Sequence, residues 1–345
     1  TSSGKTAVCL GLGKRLQIEG KKVGYVKPIS YEVAQLGGEA IDEDVTFVKN
    51  VLNLDLPPQE LSAVVVTPEV LRDCLASPTP CNFEEQIVLA MEKAAVDKDV
   101  LLIEGGGSLR QGYVLNLSTP YVAELLGAKV LAVVRYTSQL TVLDDVLTAE
   151  FRLKDRLLGV IINRVPEEGA AFLAQQGISF LEKHGVPVFG VLPERRNLSS
   201  ISVSELVDTL DAEVLAAEDR LEGLVEELMV GAMGAQEALS RFRAYRNKAV
   251  ITGGDRTDMQ LAALETSTAC LILTGNLTPS ASVIDRANDQ HVPVLLVKRN
   301  TIETIEQIEK VFGKTRLGQA EKLAHFESLM AEHVDYRRLF KEMGL

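Results

Sequence analysis

Histidine and cysteine are scarce in this chain, with four of each among 345 residues. His184, His291, His325 and His333 are scattered and form no HExxH motif. Cys9, Cys74, Cys81 and Cys270 lack the short paired spacing of a zinc site or redox motif. Metal chemistry built on His and Cys is therefore excluded as the main activity. The cysteines read as small buried hydrophobes in a reducing cytosol, not as a staple. No stretch reaches the roughly 18 apolar residues of a membrane span, so no membrane partner is expected. Positive charge is in deficit, with 36 Lys+Arg against 48 Asp+Glu and a net charge of −12. Such a balance repels a phosphate backbone, which argues against nucleic acid as a main partner. A local basic pocket for a nucleotide stays open, and the expected compartment is cytoplasmic.

What is present is a globular composition, 46% hydrophobic and 24% charged, long enough for two cores. The chain opens on Thr1-Ser2-Ser3-Gly4-Lys5-Thr6, the second half of G-x-x-x-x-G-K-[ST]. The first glycine of that motif falls two residues before Thr1. A P-loop follows a buried strand, so a first strand and one glycine are expected upstream of this numbering. Ala7, Val8, Leu10, Leu12 and Leu16 predict a helix ending near Gly20. Val23–Val26 predicts a short strand that Pro28, which has no N–H to donate, should end. Further apolar strands are expected at Asp99–Ile103, Lys129–Val134, Leu157–Ile162 and Val186–Val191. Helices are expected near 83–96, 119–127, 139–153 and 169–183.

This alternation predicts an α/β fold: a P-loop parallel sheet covered by helices on both faces, then a second, smaller α/β domain. The polar stretch 194–215 marks the boundary. A second series of strands follows at Ala249–Thr252, Ala269–Leu273 and Val294–Val297, each running into a polar turn and a helix. From Gly318 onward Leu323, Phe326, Leu329, Met330 and Val334 recur near helical spacing. The expected domains are 1–200, 205–315 and a helical tail over 316–345.

The chemistry concentrates at a few positions. Ser3, Gly4, Lys5 and Thr6 open a helix whose unsatisfied N–H groups and positive dipole end suit phosphates. Lys5 would reach the β- and γ-phosphates, and the Thr6 hydroxyl would ligate Mg²⁺. An ordinary Ser-Gly turn is the competing reading. Glu104 ends an apolar strand and precedes Gly105-Gly106-Gly107, a place where such sheets bind ligands. A solvated loop carboxylate is its alternative. Asp42-Glu43-Asp44 opens a helix, where acidic residues are also favoured for the dipole alone. Lys27 either neutralises developing negative charge or is a surface lysine.

S-G-K-T, the strand into Lys27-Pro28, Asp44 and Leu102-Ile103-Glu104-Gly105-Gly106-Gly107 together resemble the dethiobiotin synthetase family. They resemble equally the ATP-binding domain of cobyrinic acid a,c-diamide synthases. The resemblance covers about residues 1–200. It implies that Lys5 and Thr6 hold ATP and Mg²⁺ and that Lys27 contacts substrate and phosphate. Asp44 and Glu104 would complete the metal site with Thr6. Leu115-Asn116-Leu117-Ser118 and Gly159-Val160-Ile161-Ile162-Asn163-Arg164 are also similar, which implies that Asn163 contacts the adenine base. Gly190-Val191-Leu192-Pro193 resembles the other base-side segment. Ser108-Leu109-Arg110-Gln111 stands where dethiobiotin synthetases grip their fatty-acid-like substrate. No G-x-C-x-G elbow is present and 145 residues are too few for a glutaminase domain, so amide transfer from glutamine is not expected.

Gly253-Gly254-Asp255-Arg256-Thr257-Asp258 resembles the DRTGG domain, as do Val230–Met233 and Leu271–Gly275. A dethiobiotin-synthetase-like domain followed by DRTGG is the regulatory N-terminal half of long bacterial phosphotransacetylases. With Leu345 just after the DRTGG region, the chain resembles a stand-alone relative of that half. Read from the residues, three successive strands end in polar loops on one sheet edge. Asp255 is a natural N-cap for the next helix. Arg256 and Arg299 offer two cations to a nucleotide or other small anion, or Asp255 and Arg256 only tie the turn. The expectation is a regulatory module binding ATP and Mg²⁺, with Gly253, Gly254, Asp255 and Arg256 sensing an anionic ligand. The alternative is an enzyme that phosphorylates a carboxylate or carbamate, with Lys5 and Lys27 as catalytic cations. A scaffold binding no nucleotide is the third reading. The first-domain resemblance also implies a homodimer.

Overall fold

A computed structural model describes residues 3–31, 34–36, 39–77, 79, 81–195, 200–231, 234–311 and 320–345. The chain divides into two compact units, Thr1–Glu194 with Leu317–Leu345, and Arg195–Arg316. In the first unit, α1 (Lys5–Ile18) leads into β1 (Val23–Ser30) and a hairpin of β2 (Ala34–Leu36) and β3 (Glu39–Ile41). Next come α2 (Glu43–Leu52), α3 (Pro58–Leu61), β4 (Ser62–Val65), α4 (Pro68–Ala76), α5 (Glu84–Ala95) and β5 (Val100–Ile103). The series continues with α6 (Thr119–Leu125), β6 (Val130–Arg135), α7 (Gln139–Leu153) and β7 (Leu157–Val165). It ends with α8 (Glu167–Phe172), α9 (Ile178–Lys183) and β8 (Val188–Pro193).

The long strands of this unit form two three-stranded parallel sheets, β4-β1-β5 and β6-β7-β8. All eight residues of β1 are buried, so both of its faces are covered, as continuous apolar strands require. β1 runs through Pro28 to Ser30, correcting the expected stop. The last pair with β5 is Val26↔Ile103, and from Lys27 onward β1 pairs only with β4. Pro28 therefore sits where one neighbour remains, and its missing N–H interrupts no two-sided ladder.

The cysteines bring a second correction. Cys74, in α4, and Cys81 form a disulfide with Cα atoms 5.5 Å apart, while Cys9 and Cys270 are free. The two cysteines are seven residues apart in sequence, a spacing that matches no short paired motif and so does not reveal the pairing.

In the second unit, β9 (Ile201–Ser202) leads into α10 (Val203–Leu210), opened by a reciprocal Ser202–Glu205 capping box. β10 (Glu213–Ala216), β11 (Leu224–Val225), β12 (Glu227–Val230) and α11 (Ala235–Ala244) follow. Then come β13 (Lys248–Gly253), α12 (Thr257–Leu264), β14 (Thr268–Thr274), α13 (Ala281–Asp289), β15 (Val294–Leu296) and α14 (Thr301–Val311). Five strands form one sheet in the order β10-β15-β14-β13-β12, parallel except for the antiparallel edge strand β10.

The tail returns to the first unit as α15 (Ala320–His333) and α16 (Tyr336–Met343). Val334 bridges to Gly190, and the Asp335 N–H donates to the Phe189 carbonyl at 2.7 Å. Met330 lies over Gly11 of α1, where any Cβ would overlap its sulfur. No helix among the described residues is long and apolar enough to cross a membrane.

Candidate functional site

Gly4 caps α1 with φ +91°, a left-handed conformation that glycine adopts without strain. A Cβ there would also overlap the Asn163 amide, whose Nδ2 donates to the Ser3 carbonyl at 2.8 Å. Asn163, near the end of β7, thus braces the loop backbone that starts α1. Lys5 Nζ donates to the Gly107 carbonyl at 3.2 Å and lies 3.5 Å from Ser3 Oγ. The triple-glycine turn and the start of α1 are joined through this lysine across about a hundred residues of chain.

The Thr6 hydroxyl donates to Glu104 Oε1 at 2.7 Å, and the Tyr25 hydroxyl donates to Oε2 at 2.8 Å. Glu104 is buried at the end of β5, so both oxygens are held by hydroxyls from different elements. Lys27 Nζ lies 2.7 Å from Asp42 Oδ2 and 3.5 Å from Asp44 Oδ2. Asp42 also caps α2, accepting from the N–H groups of Asp44 and Val45. Of the acidic cluster, Asp42 is the buried partner of Lys27, while Asp44 is more than half exposed. Tyr25 is the site residue that sequence reasoning passed over, and within the acidic cluster the buried role falls to Asp42 where Asp44 was expected. Tyr25 reads as a core residue of a buried strand. Asp42 is signalled only by its place just before the helix.

Burial and charge work against each other here. Burial pulls Lys5 below its ordinary value, partly countered by Glu104. At Lys27 burial also pulls down, but Glu104, Asp42 and Asp44 together outweigh it and the net shift is upward. Burial pushes the Glu104 carboxyl up, against the pull of Lys27, the Thr6 hydroxyl and the Tyr25 hydroxyl, while Asp44 adds to the rise. Burial and Glu104 hold Tyr25 well above the usual phenol range, and burial pushes the Cys9 thiol up. Desolvation at Lys5 that Glu104 offsets only in part, at a helix N-terminus, favours an incoming anion. Ser3, Lys5, Glu104 and Gly105–Gly107 are among the residues that line a cavity of about 930 Å³. Among the described residues, no group of three or more His, Cys, Asp or Glu side chains is placed to hold a metal. A cation at Thr6 and Glu104 therefore needs ligand oxygens to complete its shell.

In the second unit, β13, β14 and β15 end side by side, and their following loops are tied to one another. Gly254 passes so close to the Leu277 carbonyl that any Cβ would overlap it. The Gln260 amide donates to the Gly253 carbonyl at 2.9 Å, and the Thr274 and Thr301 hydroxyls lie 2.8 Å apart. The expected N-cap role of Asp255 is corrected: α12 starts at Thr257, its cap position is Arg256, and no side chain caps it. Asp255 instead lies beside Gly253, where a Cβ would come within 2.5 Å of its carboxylate. Arg256 makes a two-pronged contact with Asp258, Nε to Oδ1 at 3.1 Å and Nη2 to Oδ2 at 3.2 Å. Arg299 donates to the Leu210 carbonyl at 3.1 Å.

Residues 1–202 match the family model described as AAA domain, and residues 205–311 match the DRTGG domain. Over 99% of its length the chain is 26% identical to a phosphate acetyltransferase of Pseudomonas aeruginosa. Over 98% it is 26% identical to the phosphate acetyltransferase of Nitratidesulfovibrio vulgaris. It spans about half the length of these curated relatives, 50% in both cases. Among solved structures it is similar to the CBS and DRTGG regulatory region of Clostridium perfringens pyrophosphatase, in complex with the activator diadenosine tetraphosphate. That similarity has a TM-score of 0.30 and 18% identity, covering 44% of this chain and 73% of the other.

Proposed function

This chain belongs to the AAA-domain family through residues 1–202, and on that premise we propose that it binds ATP with Mg²⁺ as a regulatory module. The observation that carries the reading is the Thr6–Glu104 hydrogen bond of 2.7 Å beside Lys5 at the start of α1. Thr6 and Glu104 are hard oxygen donors from distant parts of the chain, the donor chemistry that Mg²⁺ takes, and Asp44 adds negative charge nearby. When bound, the ion supplies neutralisation of phosphate charge. The first N–H groups of α1 and Lys5 would bind the phosphate oxygens, and Asn163 would hold the loop in register for them. The Lys27–Asp42 pair fixes a second cation next to Glu104. Gly253, Gly254, Asp255 and Arg256 would form the second unit's receptor for a small anion, entered by exchanging Asp258 for the ligand on Arg256. The setting proposed for this regulation is acyl-phosphate or cofactor metabolism, a reading that the name of the relatives supports, and the proposed working form is a homodimer.

Glu104→Gln tests the site by removing charge while keeping shape. Calorimetric titration of ATP with and without Mg²⁺ should show affinity that has become nearly independent of Mg²⁺. The expected cost is about 1–3 kcal/mol for the lost charged contact. Equal Mg²⁺ dependence in variant and parent would reduce Glu104 to a structural carboxylate.

A second reading, an ATP-dependent enzyme phosphorylating a carboxylate or carbamate, is favoured by Lys27. Its raised pKa keeps it cationic beside Glu104, where it would stabilise a transferred phosphoryl group together with Lys5. ATP turnover against a panel of carboxylates and amines decides between the readings. Turnover lost in Lys27→Met would establish the enzyme.

A further inference from the structure

β1 and β5 lie side by side in parallel, with Tyr25 opposite Leu102 and Val26 opposite Ile103. Just past β5, the Glu104 N–H donates to the Val26 carbonyl at 2.9 Å, which pins the backbone under Glu104 to β1. Tyr25 pins the side chain as well, its hydroxyl donating to Glu104 Oε2 at 2.8 Å. The other oxygen, Oε1, accepts from the Thr6 hydroxyl at 2.7 Å. The buried carboxylate is thus fixed at its backbone and at both oxygens.

The two hydroxyls are not equivalent. Tyr25 is fully buried in a strand that is buried along its whole length, so its phenol has no route to solvent. Leaving Oε2 would strand a buried donor without a partner, a costly state. A phenol also keeps its proton at neutral pH, so it donates to Oε2 and does not compete for a cation. Thr6, by contrast, is half-buried in the first turn of α1. An aliphatic hydroxyl rotates and carries two acceptor lone pairs. Its proton can swing off Oε1, and both oxygens then offer lone pairs to the same cation. Glu104 is left with one oxygen to give. Mg²⁺ fits that supply, because it demands a tight octahedron at about 2.0–2.1 Å and takes carboxylates sparingly. Ca²⁺ binds at about 2.3–2.6 Å with more ligands, and gains from carboxylates that give both oxygens.

On the reading that this site takes ATP with Mg²⁺, we propose that Tyr25 is a positioning residue that selects the ion. By holding Oε2 it restricts Glu104 to coordination through Oε1 alone, which suits Mg²⁺ and disfavours Ca²⁺. Tyr25 touches neither ion nor nucleotide and acts through Glu104. A free glutamate at the same place would serve either ion, so the discrimination comes from the neighbouring strand.

Calorimetric titration of the full chain with ATP, at saturating Mg²⁺ or at saturating Ca²⁺, tests this. The parent should bind the Mg²⁺ complex at least about tenfold more tightly than the Ca²⁺ complex. Tyr25→Phe keeps the ring and frees Oε2, so the preference should fall to within about threefold. A loss shared equally by both ions would mean that Tyr25 serves packing alone, and would overturn the proposal. An unchanged preference in the variant, or equal affinity for the two complexes in the parent, would overturn it too. ATP binding to the parent that is the same with and without either ion would sink the ATP–Mg²⁺ reading itself, and Tyr25's role with it. That result differs from a site that needs a divalent ion but does not discriminate, which sinks the role of Tyr25 alone. If Tyr25→Phe does not fold, difference infrared spectra of the parent supply the measurement. Mg²⁺ is added to the ATP-bound protein, with Glu104→Gln as the blank that isolates the Glu104 carboxylate. Widely split carboxylate stretches, the mark of one-oxygen binding, are the expected result. Narrowly split stretches, or no change at Glu104, would overturn the proposal.

Discussion

At the scale of single residues, the most unusual group outside the candidate site is Lys248, which has no exposed surface at the start of β13. Its ammonium donates to the Thr266 hydroxyl and the Ser267 carbonyl, each at 2.8 Å, with the Phe242 ring 5.7 Å away. No carboxylate is among these partners, and burial pulls its pKa from 10.5 to about 8. The unfolded chain therefore holds this proton to higher pH than the folded chain does. Between about pH 8 and 10.5 the unfolded state binds more protons, so stability rises with pH through that window. The gain is about 1–3 kcal/mol in total. Lys248→Met should flatten that part of the profile, as measured by urea unfolding of both proteins across the window. Parallel profiles would show that another group titrates. Residue-level reading of the candidate site was uneven for a related reason. Lys5, Thr6 and Glu104 stand out because few side chains can do their chemistry at those positions. Tyr25 and Asp42 do not, because a phenol inside a strand and an acid before a helix have ordinary roles in most proteins.

Secondary-structure elements were legible where apolar runs are continuous. β5 to β8 lie within a few residues of their expected places, since a doubly covered parallel strand must be apolar throughout. β1 overran its expected end because the effect of Pro28 depends on which neighbours pair with it, and that is a tertiary property. The helix α1 carries another tertiary imprint. Gly11 and Gly13 cost helix stability, yet each admits a partner: Met330 of α15 lies against Gly11, and Leu52 of α2 against Gly13. Gly11→Val should lift α15 from α1 and lower stability by about 1–3 kcal/mol, despite valine's better helix propensity. Adding Met330→Ala should restore at least half of that loss, a coupling that thermal unfolding of the two single variants and the double variant measures. Simple additivity would mean that the α1–α15 contact is loose.

For the whole molecule, order along the chain and order in space part company after α14. The second unit closes at Arg316, and α15 and α16 belong to the first. Sequence order shows that these helices are amphipathic but not which surface they cover, because any apolar face suits such a stripe. In the structure that stripe is Phe326, Leu329, Met330, Val334, Leu339 and Phe340, all buried, and of its partners α1 lies at the other end of the chain and β8 near its middle. This assignment makes a fragment experiment sharp. A fragment of residues 195–316 holds all five strands of the second sheet and both of its apolar clusters, so it should unfold cooperatively as a monomer. A fragment of 195–345 keeps the same sheet but leaves the six apolar side chains of α15 and α16 without their partner. It should self-associate, because an apolar stripe of that size seeks cover. Size exclusion with light scattering distinguishes the two, and equal monomeric behaviour would mean that α15 and α16 bind the first unit without their apolar face. The shorter fragment also isolates the second site. Titrated with ADP, it should lose affinity on Arg256→Lys, since lysine cannot reproduce the two-pronged contact that the guanidinium makes. If the intact chain binds ATP at Lys5 and the sites are coupled, each ligand must shift the other's affinity by the same factor. A fragment that folds yet binds no adenine nucleotide would instead leave the Asp255–Asp258 turn as a structural tie.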